Sequence, residues 1–287
     1  MSMNIMSMKS YAKRLNDYTF TDYFHRLMLL ARSVFKWENL PNSMDEKWIE
    51  KFLFRTGFCV FYNNPTKGLM VAECTYDGNL NNYEEPVSVT PIGIDIEPVK
   101  LTVGKDCVLI RNNDVMMPTA FPVKLFAYRL AEISRTIDIN VNAQKTPVVM
   151  YGTDKQKLTM KNMFAQWNGN EPVIYGDKNI DTSPIGVLKT EAPIVFPQLQ
   201  IQKQALWNEC LTFLGINNAN TEKRERLITD EVIANNTHID LSADCLLKSR
   251  ELACKQINKL FGTEIKVGLR EEVEPECMHD TQNISET

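Results

Sequence analysis

The stretch ALWNECLTFLGINNANTEKRERLITDEV, residues 205–232, joins two patterns that an ordinary compact domain keeps apart. Its first part closes a helix: Leu199, Leu206, Cys210 and Phe213 fall on one face at helical spacing. It then turns polar. From Asn217 to Asp240 there is no glycine, no proline and no clear apolar period, and helical spacing resumes only after Leu241. A compact domain rarely keeps connections longer than about 12–15 residues unless they are functional or disordered. Glu222, Lys223, Arg224, Glu225 and Arg226 follow one another here. They read either as a solvated loop or as an arm that carries cations to a polyanion. Mobile cations on phosphate give a salt-sensitive contact that ignores sequence. The neighbouring acids keep such a contact weak, which suits sliding better than holding.

Composition bounds the rest. With 287 residues, 44% of them apolar and 24% charged, the chain can bury one large core or two modest ones. No apolar run approaches the roughly 20 residues of a membrane span, and MSMNIMSMKSYAKR lacks the apolar centre of a signal peptide. The seven cysteines are odd in number and scattered, with no C-x-x-C pair. Free thiols in a reducing compartment are therefore expected, and with them a soluble intracellular product. A net charge of −4 argues against a surface that coats nucleic acid, but not against one that lets it pass. Lys9, Lys13, Arg14, Arg26, Arg32 and Lys36 make the first 36 residues basic; residues 271–287 hold six acids and no Lys or Arg. Such end blocks usually read as solvated or disordered.

Tyr23, Leu27, Leu30, Val34 and Trp37 predict a first helix, with Pro41 beyond its end. Ser43 and Glu46 form a capping box for a short helix to Gly57 that buries Trp48 and Phe52. From Phe58 to about Met117 the period is two. Strands are expected at 58–62, 69–72, 92–96, 99–103 and 107–110, with turns at Asp77-Gly78 and Gly104, giving a small, strongly bent sheet. A long helix starts near Pro122, carries Phe126, Leu130, Ile133, Ile137 and Val141, and stops before Pro147. An α/β piece comes next, with strands at 148–151, 173–175 and 186–189 and a helix over Met160, Phe164 and Trp167. A second long helix begins around Pro197. Ser242 caps a last helix with Leu246, Ala253, Ile257 and Leu260 inside and Gly262 as its stop, and Glu264–Leu269 is one more strand.

Catalytic signals are thin. The three histidines, His25, His238 and His279, have no partners at metal spacing, so neither a metal nor a cofactor is expected. There is no G-x-x-x-x-G-K-[ST] or G-x-G-x-x-G to cradle a nucleotide and no G-x-S-x-G turn. Asp95 and Glu97 share one face of an expected strand, where solvated acids explain them more simply than a cation. Cys210 and Cys254 fall on core stripes as small buried hydrophobes. No catalytic residue is assigned.

The stretches VFKWENLP (34–41), VNAQKTPVVM (141–150), EPVIY (171–175), LKTEAPIV (188–195) and the opening segment resemble the portal, or upper-collar connector, of small short-tailed, protein-primed phages related to the small Bacillus ones. The similarity runs in order from about residue 20 to 270. It implies an α+β portal fold: long stem helices, a small bent SH3-like β-sheet wing and an α/β clip, assembled as a dodecameric ring at one capsid vertex. On that pattern 1–20 is a flexible basic N-terminal arm, 21–120 the wing, 121–144 a stem helix and 145–195 the clip. Residues 196–216 are a second stem helix, 217–240 the channel loop, 241–270 a helix and strand at the wide end, and 271–287 an acidic tail.

The resemblance also implies a non-enzymatic DNA conduit for packaging and ejection that joins head to tail in the virion after assembly in the host cytoplasm. Its implied partners are a homo-oligomeric ring, sequence-independent viral double-stranded DNA, major capsid and scaffolding proteins, a packaging ATPase with a structural RNA, and lower collar and tail proteins. Lys223 and Arg224 match two adjacent basic positions of the family's channel loop, with Arg226 beside them, and Lys189 matches a basic position near the narrow end. Gln198 stands where the family pattern has a stem lysine. Lys9, Lys13 and Arg14 match an arm that contacts the structural RNA and motor. A lower-collar or other neck component, and a nucleic-acid-processing enzyme with scattered residues, are the alternatives.

Overall fold

The first and last strands of the fold lie side by side. In the computed structural model, which describes residues 5–76, 78–144, 148–150, 185–187, 193–217 and 229–270, β1 (Phe35–Glu38) pairs antiparallel with β9 (Lys266–Leu269). The helix before it, α1 (Ile5–Ser33), starts well ahead of the expected Tyr23 and ends before Trp37. Val34 and Trp37 fit a helical step, but Phe35 and Trp37 are buried while Lys36 and Glu38 are exposed. A period of two therefore wins, and the strand's backbone is satisfied by pairing Phe35 with Leu269 and Glu38 with Lys266.

Helix α2 (Glu46–Thr56) corrects the expected cap. Asp45, in extended conformation, accepts from the Lys47 amide at 2.9 Å. Ser43 instead donates its hydroxyl to the Leu69 carbonyl, and Glu46 accepts from the Trp37 amide. The buried face is Ile49, Glu50, Leu53 and Phe54; Trp48 is 45% exposed, against expectation. Gly57 ends the helix at φ 85°, and its amide donates to the Leu53 carbonyl.

Beyond α2 lie five antiparallel strands: β2 (Phe58–Asn64), β3 (Gly68–Tyr76), β4 (Ser88–Ile92), β5 (Leu101–Thr102) and β6 (Cys107–Arg111), in the order β5-β4-β3-β2-β6. Strand β2, paired with β3 on one edge and β6 on the other, is covered on both faces. Cys59 and Phe61 join Val71, Val108 and Ile110 against Ile49, Leu53, Ala253 and Ile257 of the helices. Val60 and Tyr62 join Ala72, Cys74, Val89, Cys107 and Leu109, and the sheet curls so that Ile96, Leu101 and Val103 close this second core. The expected strand over 92–96 ends at Ile92. Asp95 takes φ 56° and Ile94 is 92% exposed, so Asp95 and Glu97 belong to a loop and not to a strand face. Gly78 and Gly104 adopt the positive φ that the turn reading requires. The chain after Gly78 nevertheless makes no tight hairpin. A loop held by Asn81, whose side-chain oxygen accepts from the Tyr83 and Glu85 amides, leads on to β4.

Helix α3 (Ala120–Gln144) and helix α4 (Phe196–Phe213) match the two expected long helices. At about 1.5 Å per residue they extend roughly 37 and 27 Å. Leu27 and Ala31 of α1, Val123, Ala127 and Leu130 of α3, and Cys210 and Leu214 at the end of α4 form a third core with Phe54. Val141, expected on the inner stripe of α3, is exposed. The chain divides into two compact units, Met1–Leu130 with Ala205–Thr287, and Ala131–Gln204. Within the second, β7 (Val148–Met150) pairs antiparallel with β8 (Ile185–Val187). Asn140 is buried there, donating to the Pro193 carbonyl and accepting from the Val195 amide just before α4. The expected helix over 153–167 and the strand at 173–175 lie outside the described residues.

Helix α5 (Thr229–Phe261) overturns the expected loop over its second half. Ser242 lies inside the helix and caps nothing. With no glycine or proline between 217 and 240, nothing breaks the helix. Its inner stripe, Ile239, Ala243, Leu246, Arg250, Ala253 and Ile257, begins within the stretch that showed no clear apolar period. Leu260, expected inside, is 36% exposed. Gly262 stops the helix at φ 65°, as expected.

Gly57 carries the strictest local requirement, because a Cβ there would sit 2.1 Å from the Met116 carbonyl oxygen. Gly57→Ala is expected to cost more than the roughly 1–2 kcal/mol of a left-handed alanine alone. Gly104→Ala, at φ 82° with open space around it, should cost only that conformational term. Urea unfolding of the two variants side by side checks the difference.

Candidate functional site

A single arginine organises the first unit. Arg250, 2% exposed, lies on the inner stripe of α5 and meets Glu50 of α2, also 2% exposed. The pairing is bidentate: Nε donates to Oε1 and Nη2 to Oε2, both at 2.9 Å. Nη1 donates to the Asn112 and Leu246 carbonyls, and Nη2 also reaches the Asn112 side-chain oxygen. Trp37 Nε1 donates to Glu50 at 2.9 Å, and the guanidinium lies 4.0 Å from the centre of the Phe35 ring. Asn112 passes the connection on through its side-chain amide to Thr119 at the start of α3. Every polar atom of the charged pair thus has a partner, the condition under which a buried ion pair is tolerated. The junction joins β1, α2, the end of β6, α3 and α5. It fixes the relative placement of these elements.

The five buried thiols, Cys59, Cys74, Cys107, Cys210 and Cys254, give no reactive group, whereas Cys245 is exposed. Burial pushes the thiols of Cys74, Cys107, Cys210 and Cys254 up to about 12, and holds that of Cys59 well above its ordinary value too. They stay protonated and inert as the core reading of Cys210 and Cys254 requires. Among the described residues no group of three or more His, Cys, Asp and Glu side chains is placed to hold a metal ion.

The residues expected to touch DNA, Lys189, Lys223, Arg224 and Arg226, lie outside the described residues. Lys9 and Lys13 sit one helical turn apart on the backbone of α1, and Arg14 follows, exposed. The arm that looked flexible is helical from Ile5. Gln198 is exposed in the first turn of α4, and His25 and His238 are exposed on α1 and α5. Sequence reasoning missed Arg250, Glu50 and Asn112. The available signal was a cation at 250 on the same stripe as Leu246, Ala253 and Ile257, which demands a buried partner.

Large apolar side chains remain uncovered on the long helices. Phe121 (70% exposed), Leu125 (47%) and Tyr128 (62%) follow one another on α3 at helical spacing, opposite the buried Val123, Ala127 and Leu130. In the second unit Ile139, Ile194 and Ile201 are likewise exposed. Rows of this kind mark surfaces that another protein covers.

A curled five-stranded sheet and long helices with uncovered apolar rows fit the portal, or head–tail connector, class. The chain matches the Phage Connector (GP10) family over residues 4–274 and belongs to it. Its fold is similar to that in the portal and tail structure of native bacteriophage P68, with a TM-score of 0.53 and 16% identity over 96% of this chain and 94% of that one. An HK97 family phage portal protein from Corynebacterium diphtheriae aligns with a TM-score of 0.44 and 10% identity, over 86% of this chain and 91% of that one. Membership of the connector family gives the chain the role of portal and head–tail connector, at the capsid vertex of the virion.

Removing one partner of the central pair leaves a buried charge behind. Arg250→Met or Glu50→Gln alone is expected to destabilise the first unit by about 3–5 kcal/mol. The double variant should lose clearly less than the sum, and a denaturant double-mutant cycle measures the coupling.

Proposed function

We propose that twelve copies of this chain form the ring through which viral double-stranded DNA enters the head and later leaves it. The match to the connector family over residues 4–274 carries this reading. Residues 21–120 act as the wing toward the shell, where major capsid and scaffolding proteins meet it. Helices α3 and α4 act as the stem, 145–195 as the clip toward motor and tail, and 241–270 as the wide end inside the head. The uncovered row Phe121–Leu125–Tyr128 is where a neighbouring subunit closes the ring. Such a contact is heterologous, with two different patches meeting under a rotation that closes.

The channel loop is shorter than the sequence pattern indicates, because α5 takes over from Thr229. Lys223, Arg224 and Arg226 remain within it, between the end of α4 and the start of α5. They supply weak, salt-sensitive phosphate contacts to passing DNA, with Lys189 as a further cationic ring near the narrow end. Gln198 leaves one basic ring of the family pattern unfilled. Translocation is driven by a separate packaging ATPase, which Lys9, Lys13 and Arg14 help to join through a structural RNA. Lower collar and tail proteins replace that motor at the clip. Assembly takes place in the host cytoplasm, and the chain itself is not an enzyme.

Two measurements test this. Leu125→Asp combined with Tyr128→Asp should leave the far-ultraviolet circular dichroism unchanged and abolish rings in negative-stain microscopy and light scattering; intact rings would remove α3 from the interface. Lys223→Ala, Arg224→Ala and Arg226→Ala together should leave rings intact but reduce the yield of stably filled heads. Normal filling would remove the loop from DNA handling.

A further inference from the structure

The exposed face of α2 has a chemistry that the portal reading does not use. Trp48 is 45% exposed, and its ring carries the Lys47 ammonium 5.5 Å and the Lys51 ammonium 5.0 Å from its centre. Lys47 also meets Asp45 at 2.7 Å, and Arg55, one turn beyond Lys51, pairs with Glu73. An indole edged by two ammonium groups offers a flat apolar surface with cations at its border. That combination suits a chain segment in which carboxylates alternate with apolar side chains.

Such a segment begins beside this face. β9 ends at Leu269, and the next residue, Arg270, is fixed to α2: its Nη2 lies 2.6 Å from Glu46 Oε1 in the helix's first turn. Its Nε donates to the Ser33 carbonyl, and its amide donates to the Val34 carbonyl. The chain therefore leaves β9 beside Val34, with the Arg270 side chain held against the first turn of α2. It continues as EEVEPECMHDTQNISET, residues 271–287, with six acids and no Lys or Arg. From Glu46 to Lys51 the helix rises only about 7–8 Å. An extended chain covers roughly 3.3–3.6 Å per residue, so Glu272 to Glu276 reach Lys51 without strain.

We infer that residues 271–287 dock back along α2 of their own chain, with Glu272, Glu274 and Glu276 against Lys47 and Lys51 and Val273 against the Trp48 ring. The acidic segment then occupies a basic–aromatic surface that would otherwise compete for nucleic acid phosphates, keeping that part of the first unit from holding DNA or RNA. The attraction is between partly exposed charges. It therefore weakens as the screening length falls from about 10 Å at 0.1 M salt to about 3 Å at 1 M.

The test uses the full chain with a zero-length carbodiimide, which links ammonium groups to carboxylates in direct contact, read by peptide mass spectrometry. At 0.1 M salt, links from Lys47 or Lys51 to the 271–276 peptide are expected. They should disappear at 1 M salt and in the full-length variant carrying Glu271→Gln, Glu272→Gln, Glu274→Gln and Glu276→Gln. In that variant acetylation of Lys51 should rise severalfold, while lysines on α3, such as Lys124, react as before. Links formed only between isotopically light and heavy chains in a mixture would overturn docking within one chain. Unchanged Lys51 reactivity in the variant, with protection appearing only when duplex DNA is added, would overturn the proposal and assign the face to nucleic acid.

Discussion

The first unit depends on one buried charge being matched. Helix α5 brings Arg250 into the interior, and without Glu50, Asn112 and the Leu246 carbonyl around it the helix could not pack there. A guanidinium suits this place because its planar fork meets a carboxylate through two parallel bonds and still has donors left for carbonyls. The aliphatic contacts around the pair are not directional. The pair is, and it sets the rotation of α5 against α2 and the end of β6. Trp37 and Phe35 extend the same constraint to β1, so the strand that pairs with β9 is held from two sides.

The long helices and the curled sheet were legible in the sequence because their apolar periods are long and uninterrupted. Pro122 and Gly262 mark their ends as expected, and Gly57, Gly78 and Gly104 stand where the backbone turns left-handed. The errors came where a short apolar run fits two periods. Val34 and Trp37 suited a helix, yet the pairing of Phe35 with Leu269 lies more than 200 residues away and leaves no local trace. The same holds for Ile92–Ile96, where alternation was genuine but Asp95 bends the chain out of the sheet. The stretch from Thr229 to Asp240 looked like a loop because polar residues separate Val232 and Ile233 from Ile239 and leave no clear apolar period; its backbone had no reason to stop being helical.

The site was legible in a different way. Nothing in the local chemistry of Lys223 or Arg224 separates a channel loop from a solvated one, and it was the resemblance of whole stretches that gave those residues a role. Arg250 shows the converse. Its position on an apolar stripe could be read, but its partner Glu50 lies 200 residues away and looks like one more helix-surface acid. Uncovered rows such as Phe121–Leu125–Tyr128 belong to a third kind. The described part of the chain leaves them exposed, and a stripe pattern alone cannot say what covers them.

The first unit is discontinuous: it is made from Met1–Leu130 and Ala205–Thr287, with Ala131–Gln204 inserted between. During synthesis the inserted unit is finished before the sheet and helices of the first half receive α5 and β9. Until then the helix-facing side of β2, Phe61 among it, lacks Ala253, Ile257 and Ile265 as cover. Contacts so distant along the chain form late and slowly, and half-built surfaces of this kind are prone to aggregate. The core of the first unit is therefore complete only once the last stretch of its chain has been made, which ties its closure to the order of translation.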